Sequence, residues 1–160
     1  MPGLMQCLDA TFTLVGPDGT RVVKAREFYE GAYMTEREDG EILTQISFPV
    51  TNSGFAYEKQ KRKIGDYATA ACAVLIAKED GKVTSASVAM TNLSDVPVLS
   101  EAAGAALVGT SCDAIAMKAA VAAALQDIDP TEDNRGPVEF KIHVAGIIIS
   151  RAIARAWSRA

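Results

Sequence analysis

The run Tyr57-Glu-Lys-Gln-Lys-Arg-Lys-Ile-Gly-Asp-Tyr-Ala68 holds the densest group of side chains in this sequence that could do chemistry. Lys59, Lys61, Arg62 and Lys63 place four cations within five positions, followed by Gly65, Asp66 and Tyr67. The formal net charge of the whole chain is -4, so the run is a local reversal of sign. A tight cationic cluster beside an aromatic ring suits an anionic ligand that also carries a flat ring, such as a nucleotide or a flavin dinucleotide. The same residues also read as a solvated basic turn that leads into a strand from Ala68. Spacing leaves both readings open. On the first, Lys59, Asp66 and Tyr67 are the candidate ligand residues, with the backbone around Leu43. An aromatic pair adds about 0.5–1.5 kcal/mol beyond the area it buries, which Tyr67 could offer a flavin ring. A cation such as Lys59 near the pyrimidine edge of that ring would stabilise the reduced form and raise its potential.

No catalytic constellation accompanies these residues. The single histidine, His143, falls inside an expected helix, and no Ser/His/Asp set can be assembled around it. Neither a phosphate-binding P-loop nor a GxGxxG run occurs. The three cysteines, Cys7, Cys72 and Cys112, are far apart, and without a CxxC pair they cannot build a zinc site or an iron–sulfur cluster of the usual ligand count. They read as reduced thiols in a cytoplasmic protein. Asp127, Asp129, Glu132 and Asp133 lack calcium-loop spacing and read as a solvated loop. Met5, Met34, Met90, Met117 and Cys72 read as core filler.

Composition narrows the class. At 160 residues the chain makes one domain or two small lobes. It is 49% hydrophobic and only 6% aromatic, so its core must be built from Ala, Val, Ile and Leu rather than large rings. Mild acidity gives no support for a nucleic-acid or membrane partner. The N-terminal residues make no signal-peptide core, and the run Val144 to Ile149 is far short of a membrane span.

The elements that must position the basic run follow from periodicity. Residues 8–15 alternate, with Leu8, Ala10, Phe12 and Leu14 on one face. Gly16-Pro-Asp-Gly19 turns the chain into a second strand over Arg21–Ala25. Arg26–Gly31 reads as a short helical turn anchored by Phe28 and Tyr29, with Tyr33 packed nearby. Glu41–Pro49 is a third strand, and residues 50–56 a loop. Two long strands, Ala68 to Lys78 and Lys82 to Thr91, form a hairpin. The first carries Ala, Cys, Val and Ile and is expected to be buried on both faces over part of its length. Three helices follow. Ser100 caps the first, Ser111 or Asp113 starts the second, and Pro137 leads into the third, which ends near Trp157. Ile115, Ala119, Ala122 and Leu125 form the expected buried stripe of the second helix. Val138, Ile142, Ala145, Ile149 and Ile153 form that of the third. Strands first and helices last argue an α+β fold.

The run from Tyr57 through Ala70, preceded by Asp9-Ala-Thr, Gly16-Pro-Asp-Gly, Tyr33-Met-Thr and Glu41-Ile-Leu-Thr, resembles the FAD-binding medium subunits of molybdenum hydroxylases. The aerobic carbon monoxide dehydrogenase type is most similar, and the flavin portion of xanthine dehydrogenases more loosely so. Val138-Glu-Phe-Lys and Ala145-Gly-Ile with Arg151-Ala are similar to the last helix of that family, with Lys141 where arginine is commoner. The resemblance implies a fold in which residues 1–54 are the end of an FAD-binding α+β domain. Residues 55–160 would be a C-terminal domain of antiparallel strands packed on a three-helix bundle. It implies FAD as cofactor, with Tyr67 stacked on the isoalloxazine, Lys59 in contact, and Asp66 and Leu43 beside it. It implies as partners a molybdopterin-containing large subunit and a small subunit with 2Fe-2S clusters, from which electrons pass through FAD to an acceptor. The family's two glycine-rich pyrophosphate loops have no counterpart here. The chain therefore reads as a C-terminal segment, a truncated product or half of a split subunit, and weak or absent FAD binding is expected of it alone. The alternative is a non-catalytic domain whose helices dock on the other subunits. A stand-alone protein with its own small ligand at the basic run ranks last. Apolar surface left exposed is expected to favour self-association.

Overall fold

A computed structural model describes residues 1–160. The chain opens with helix α1 (Pro2–Cys7), which proline starts at its first turn and which the sequence reading did not include. Strands β1 (Thr11–Gly16) and β2 (Gly19–Lys24) form the expected antiparallel hairpin. Gly19 turns it with φ +123, a backbone conformation that side chains rarely adopt. Alternation buries Phe12 and Leu14 with Met5, Val23 and Phe28 in a small core.

The helical turn expected over Arg26–Gly31 is instead a bend followed by two short strands, β3 (Tyr29–Gly31) and β4 (Met34–Thr35). The aromatic anchors explain it. Phe28 meets Phe12 edge-to-face at 4.7 Å and Tyr29 at 5.4 Å, and the chain runs extended to hold both rings. Tyr33 does not pack: it sits at the turn with φ 61, fully exposed. Met34 beside it is exposed as well, so it fills no core. Strand β5 (Ile42–Ser47) pairs with β1, giving the sheet order β2-β1-β5 with β5 at an edge and exposed throughout.

The second sheet has the order β6-β7-β8-β9, all antiparallel: β6 (Gly54–Gln60), β7 (Ala70–Glu79), β8 (Lys82–Thr91) and β9 (Val98–Leu99). β6 corrects the sequence reading, which placed a loop to residue 56 and a basic turn after it. Gly54 and Ala56 are buried while Phe55, Tyr57 and Lys59 face outward, a period of two that charged residues disguised. β7 is buried on both faces, as its composition implied. Val83 joins the helix-side core although simple alternation put it opposite Val88. A bulge between Ala77 and Lys78 adds one residue to the β8 side and flips the face.

Helices α2 (Glu101–Leu107) and α4 (Val138–Arg159) cover one face of this sheet, and α3 (Ala114–Gln126) packs against both of them. Ser100 caps α2 through Ala103 N at 3.1 Å, and Asp113 caps α3 through Ile115 N and Ala116 N. The buried stripe of α3 is Ala116, Ala120 and Ala124, and Ile115 is 84% exposed. Small side chains let α3 approach its neighbours closely, so alanine rather than isoleucine faces inward. On α4 the buried set is Lys141, Val144, Ala145, Ile148, Ile149, Ala152, Ile153 and Ala156. Ile142 is exposed and Val138 half-buried, one position off the expected stripe. These helices meet Val74, Ile76, Val88 and Met90 in the main core, while α1 covers the other face of the sheet through Cys7, Ala73 and Ala89. All three thiols are free and buried, and burial pushes Cys7 up to about 12. No helix is long and apolar enough to cross a membrane.

Candidate functional site

The basic run splits between two structures. Its first half is the end of β6, where Lys59 pairs in register with Ala71. Its second half is the loop that closes the β6–β7 hairpin, latched by Thr69 N donating to Gln60 O at 2.8 Å. Gly65 allows the loop to turn with φ +83. Lys59 Nζ donates to the Asp66 carbonyl at 2.7 Å, tying strand to loop and leaving two of its three donors unused.

Tyr57, Lys59 and Tyr67 line one cleft of about 400 Å³, floored by Thr91 and Asn92 at the end of β8. Tyr67 is 76% exposed, so most of its ring is offered to a ligand. Arg135 places its guanidinium 5.7 Å from the centroid of that ring. The carboxylate of Asp66 is committed to the loop. It accepts Tyr67 N at 2.8 Å and Arg62 Nε at 3.2 Å, and stands 3.7 Å from Arg135 Nη2. Desolvation works against the ionised carboxylate of Asp66, but these hydrogen bonds and cations outweigh it and hold the group below its ordinary range. Leu43 lies on β5 in the other sheet, partly exposed, and lines no part of this cleft. Lys61, Lys63 and Ile64 are exposed at the loop tip.

Sequence reasoning did not single out Arg135, which lies in the loop read as merely polar, nor Tyr57 or Asn92. A second concavity, about 120 Å³ at the Gly16–Gly19 turn, has Pro17 as its one apolar side chain, and its Arg21 and Glu41 are already paired at 2.7 Å. The acidic residues of the chain form no group able to hold a metal ion.

The cleft fits one part of a flavin dinucleotide. Its size falls in the range of roughly 300–1,000 Å³ usual for small-molecule sites. Two exposed tyrosine rings and an ammonium with free donors match a flat ring bearing negative charge. A glycine-rich cradle of backbone N–H groups for a pyrophosphate is not part of it.

Comparisons with known proteins show the family. Residues 55–156 match the family model described as the CO dehydrogenase flavoprotein C-terminal domain. The chain belongs to that family. Residues 1–51 match the model described as the FAD binding domain in molybdopterin dehydrogenase. The carbon monoxide dehydrogenase medium chain of Afipia carboxidovorans is 51% identical over the whole of this chain, which spans 56% of that relative. The medium chain from Hydrogenophaga pseudoflava is 39% identical over 99% of this chain and 56% of its own length. Among solved structures, the cyanide-inactivated Cu,Mo-CO dehydrogenase aligns with TM-score 0.96 and 50% identity over all of this chain and 57% of that one. Quinoline 2-oxidoreductase from Pseudomonas putida 86 aligns with TM-score 0.92 at 28% identity, over 99% of this chain and 55% of that one. The chain thus spans just over half the length of the relatives it matches.

Proposed function

We propose that this chain supplies the ring-facing wall of an FAD site in the medium subunit of a molybdenum hydroxylase of the carbon monoxide dehydrogenase type. Residues 1–54 form the closing part of an FAD-binding domain and residues 55–160 a C-terminal domain. The subunit passes electrons from the 2Fe-2S clusters of a small subunit, themselves supplied by a molybdopterin-containing large subunit, through FAD to an acceptor in the cytoplasm.

The observation that carries this reading is the shared cleft: Lys59 and Tyr67, eight positions apart, line one cavity beside Tyr57. Bound there, FAD supplies the ring that accepts and releases electrons. The protein's own residues determine how that ring is held. Tyr67 offers an exposed face for stacking, backed by Arg135. Lys59, held by the Asp66 carbonyl, keeps its charge at the cleft edge, where it favours negative charge gathered on the reduced ring. Asp66 holds the loop that carries Tyr67 rather than the ligand.

Titration with FAD, followed by flavin absorbance, tests the reading. It is run with and without a polypeptide corresponding to the part of the medium-chain relatives that this chain does not span. Tyr67→Ala and Lys59→Ala are expected to weaken binding, and Tyr67→Ala to shift the flavin spectrum. Lys118→Ala, on the exposed face of α3, is expected to do neither. Equal behaviour of all three variants would refute the assignment.

A second reading, a subunit-interaction domain that does not bind flavin alone, is favoured by β5. Ile42, Leu43, Ile46, Phe48 and Val50 are all exposed along one stretch at the edge of the first sheet. A colourless protein that ignores added FAD but co-purifies with a large or small subunit would support it.

A further inference from the structure

Lys141 is the one charged side chain in the buried stripe of α4, 4% exposed among Val144, Ala145 and Ile148. A lysine in such a position is costly unless it is fully paired. It donates to the Thr131 carbonyl at 2.6 Å and to Asp133 Oδ1 at 2.9 Å. Asp133 in turn accepts the backbone N–H of Arg135 at 2.8 Å and faces its guanidinium across 3.8 Å. The far end of Arg135 reaches Asp66 at 3.7 Å and covers Tyr67 at 5.7 Å. Arg135 Nε is enclosed with no acceptor, so the guanidinium is held in place by its outer nitrogens and by the ring, not by saturation of its donors. The Tyr67 side chain, mostly exposed, has no other aromatic or cationic neighbour of this kind.

We propose that Lys141, Asp133 and Arg135 are positioning residues that set the Tyr67 ring, so that helix α4, rather than the β6–β7 loop, fixes the wall of the cleft. The proposal concerns the placement of the ring. Its consequence for flavin affinity rests on the flavin reading of this cleft. The loop can fold on its own contacts, through Lys59 with the Asp66 carbonyl and Arg62 with the Asp66 carboxylate, and still leave the ring free to swing. Arg135 removes that freedom, and Lys141 anchors the segment that delivers Arg135.

The test uses the full chain labelled with fluorotyrosine, the Tyr67 signal being assigned by Tyr67→Phe. Fluorine NMR reads the ring, and hydrogen exchange reads the amides of residues 64–67. Arg135→Gln, Asp133→Asn and Lys141→Met are each expected to shift the Tyr67 resonance and to lower amide protection, while the Tyr29 resonance stays in place. Lys141→Arg is expected to restore both, and Lys118→Met to change neither. Should Lys141→Met fail to fold, Arg135→Gln and Asp133→Asn, at half-buried and exposed positions, carry the test. Folded Arg135→Gln and Asp133→Asn proteins with wild-type Tyr67 signal and exchange would overturn the proposal. FAD titration of the same variants separates it from the flavin reading. If Tyr67 moves in the variants but Tyr67→Ala leaves FAD binding untouched, the positioning stands and the flavin assignment falls.

Discussion

Gly54 opens β6, the strand that carries Lys59, and it lies beneath the last turn of α4. A Cβ built there would collide with Ala156 O and Ala160 N and stand 2.7 Å from Ala160 Cα. All three are backbone atoms, so no side chain can rotate aside. Gly54→Ala must therefore move the strand or the helix end. Overpacking costs about 1–3 kcal/mol, and three backbone collisions at once put this case near the top, at about 3 kcal/mol. For a chain of this size that lowers the melting temperature by about 6–12 °C, taking about 2–4 °C per kcal/mol. Relief by fraying the helix end would also give up the bond from Arg159 Nη1 to Phe55 O at 2.9 Å. Chemical denaturation followed by circular dichroism measures the change. Gly81→Ala is the control. Its φ is +72 but nothing lies within 4 Å, so only backbone strain of about 1–2 kcal/mol is expected there. A Gly54→Ala protein within about 0.5 kcal/mol of wild type, the spread usual for surface substitutions, would refute the steric reasoning.

Other perturbations test separate parts of the fold. Ile149→Ala, at a fully buried position of α4, should cost about 2–5 kcal/mol in urea unfolding. Ser100→Ala removes both the α2 cap and the hydrogen bond to Asp127 at 2.5 Å, for a loss of about 1–2 kcal/mol by thermal melt. The Arg21 hydrogen bonds lower Glu41 to about 2, against an ordinary value near 4.5. The stabilisation from a depressed carboxylate is complete above its unfolded value and disappears as pH falls through the folded one. Glu41→Gln should therefore be less stable than wild type at neutral pH, and the two should converge between about pH 4.5 and 2, as read by melting at each pH.

What was legible in the sequence followed from local rules. The Gly16–Gly19 hairpin, the Ser100 cap and the two long strands of the second sheet each declare themselves within a few residues, and the start of α3 was narrowed to Ser111 or Asp113, of which the structure takes Asp113. β6 did not, because Lys59 and Glu58 look like a turn when only charge is read, although Phe55 and Tyr57 alternate with Gly54 and Ala56. The inward face of α3 was hidden because the helix is almost all alanine, and only the close approach of its neighbours selects Ala116, Ala120 and Ala124. Val83 faces the helix-side core only because of a bulge that no periodicity encodes. Lys59 and Tyr67, which the structure brings to one cleft, came from one contiguous run, whereas Asp66 of the same run braces the loop and does not line the cleft. Arg135 was not found, since 68 residues separate it from Tyr67 and only the packing of α4 beside the hairpin brings them together. A signal for it did exist: Lys141 interrupts the apolar stripe of α4, and a lone cation in such a stripe demands a partner nearby.

The edge strand β5 has a consequence for handling the protein. Ile42 through Phe48 is seven residues without a charge, a proline or a glycine, and it presents an unpaired row of backbone donors and acceptors. Segments of that composition template cross-β stacking when two copies meet edge to edge. Glu41 and Pro49 flank the segment as gatekeepers, so protection against such pairing rests on its two ends and none of it on the strand itself.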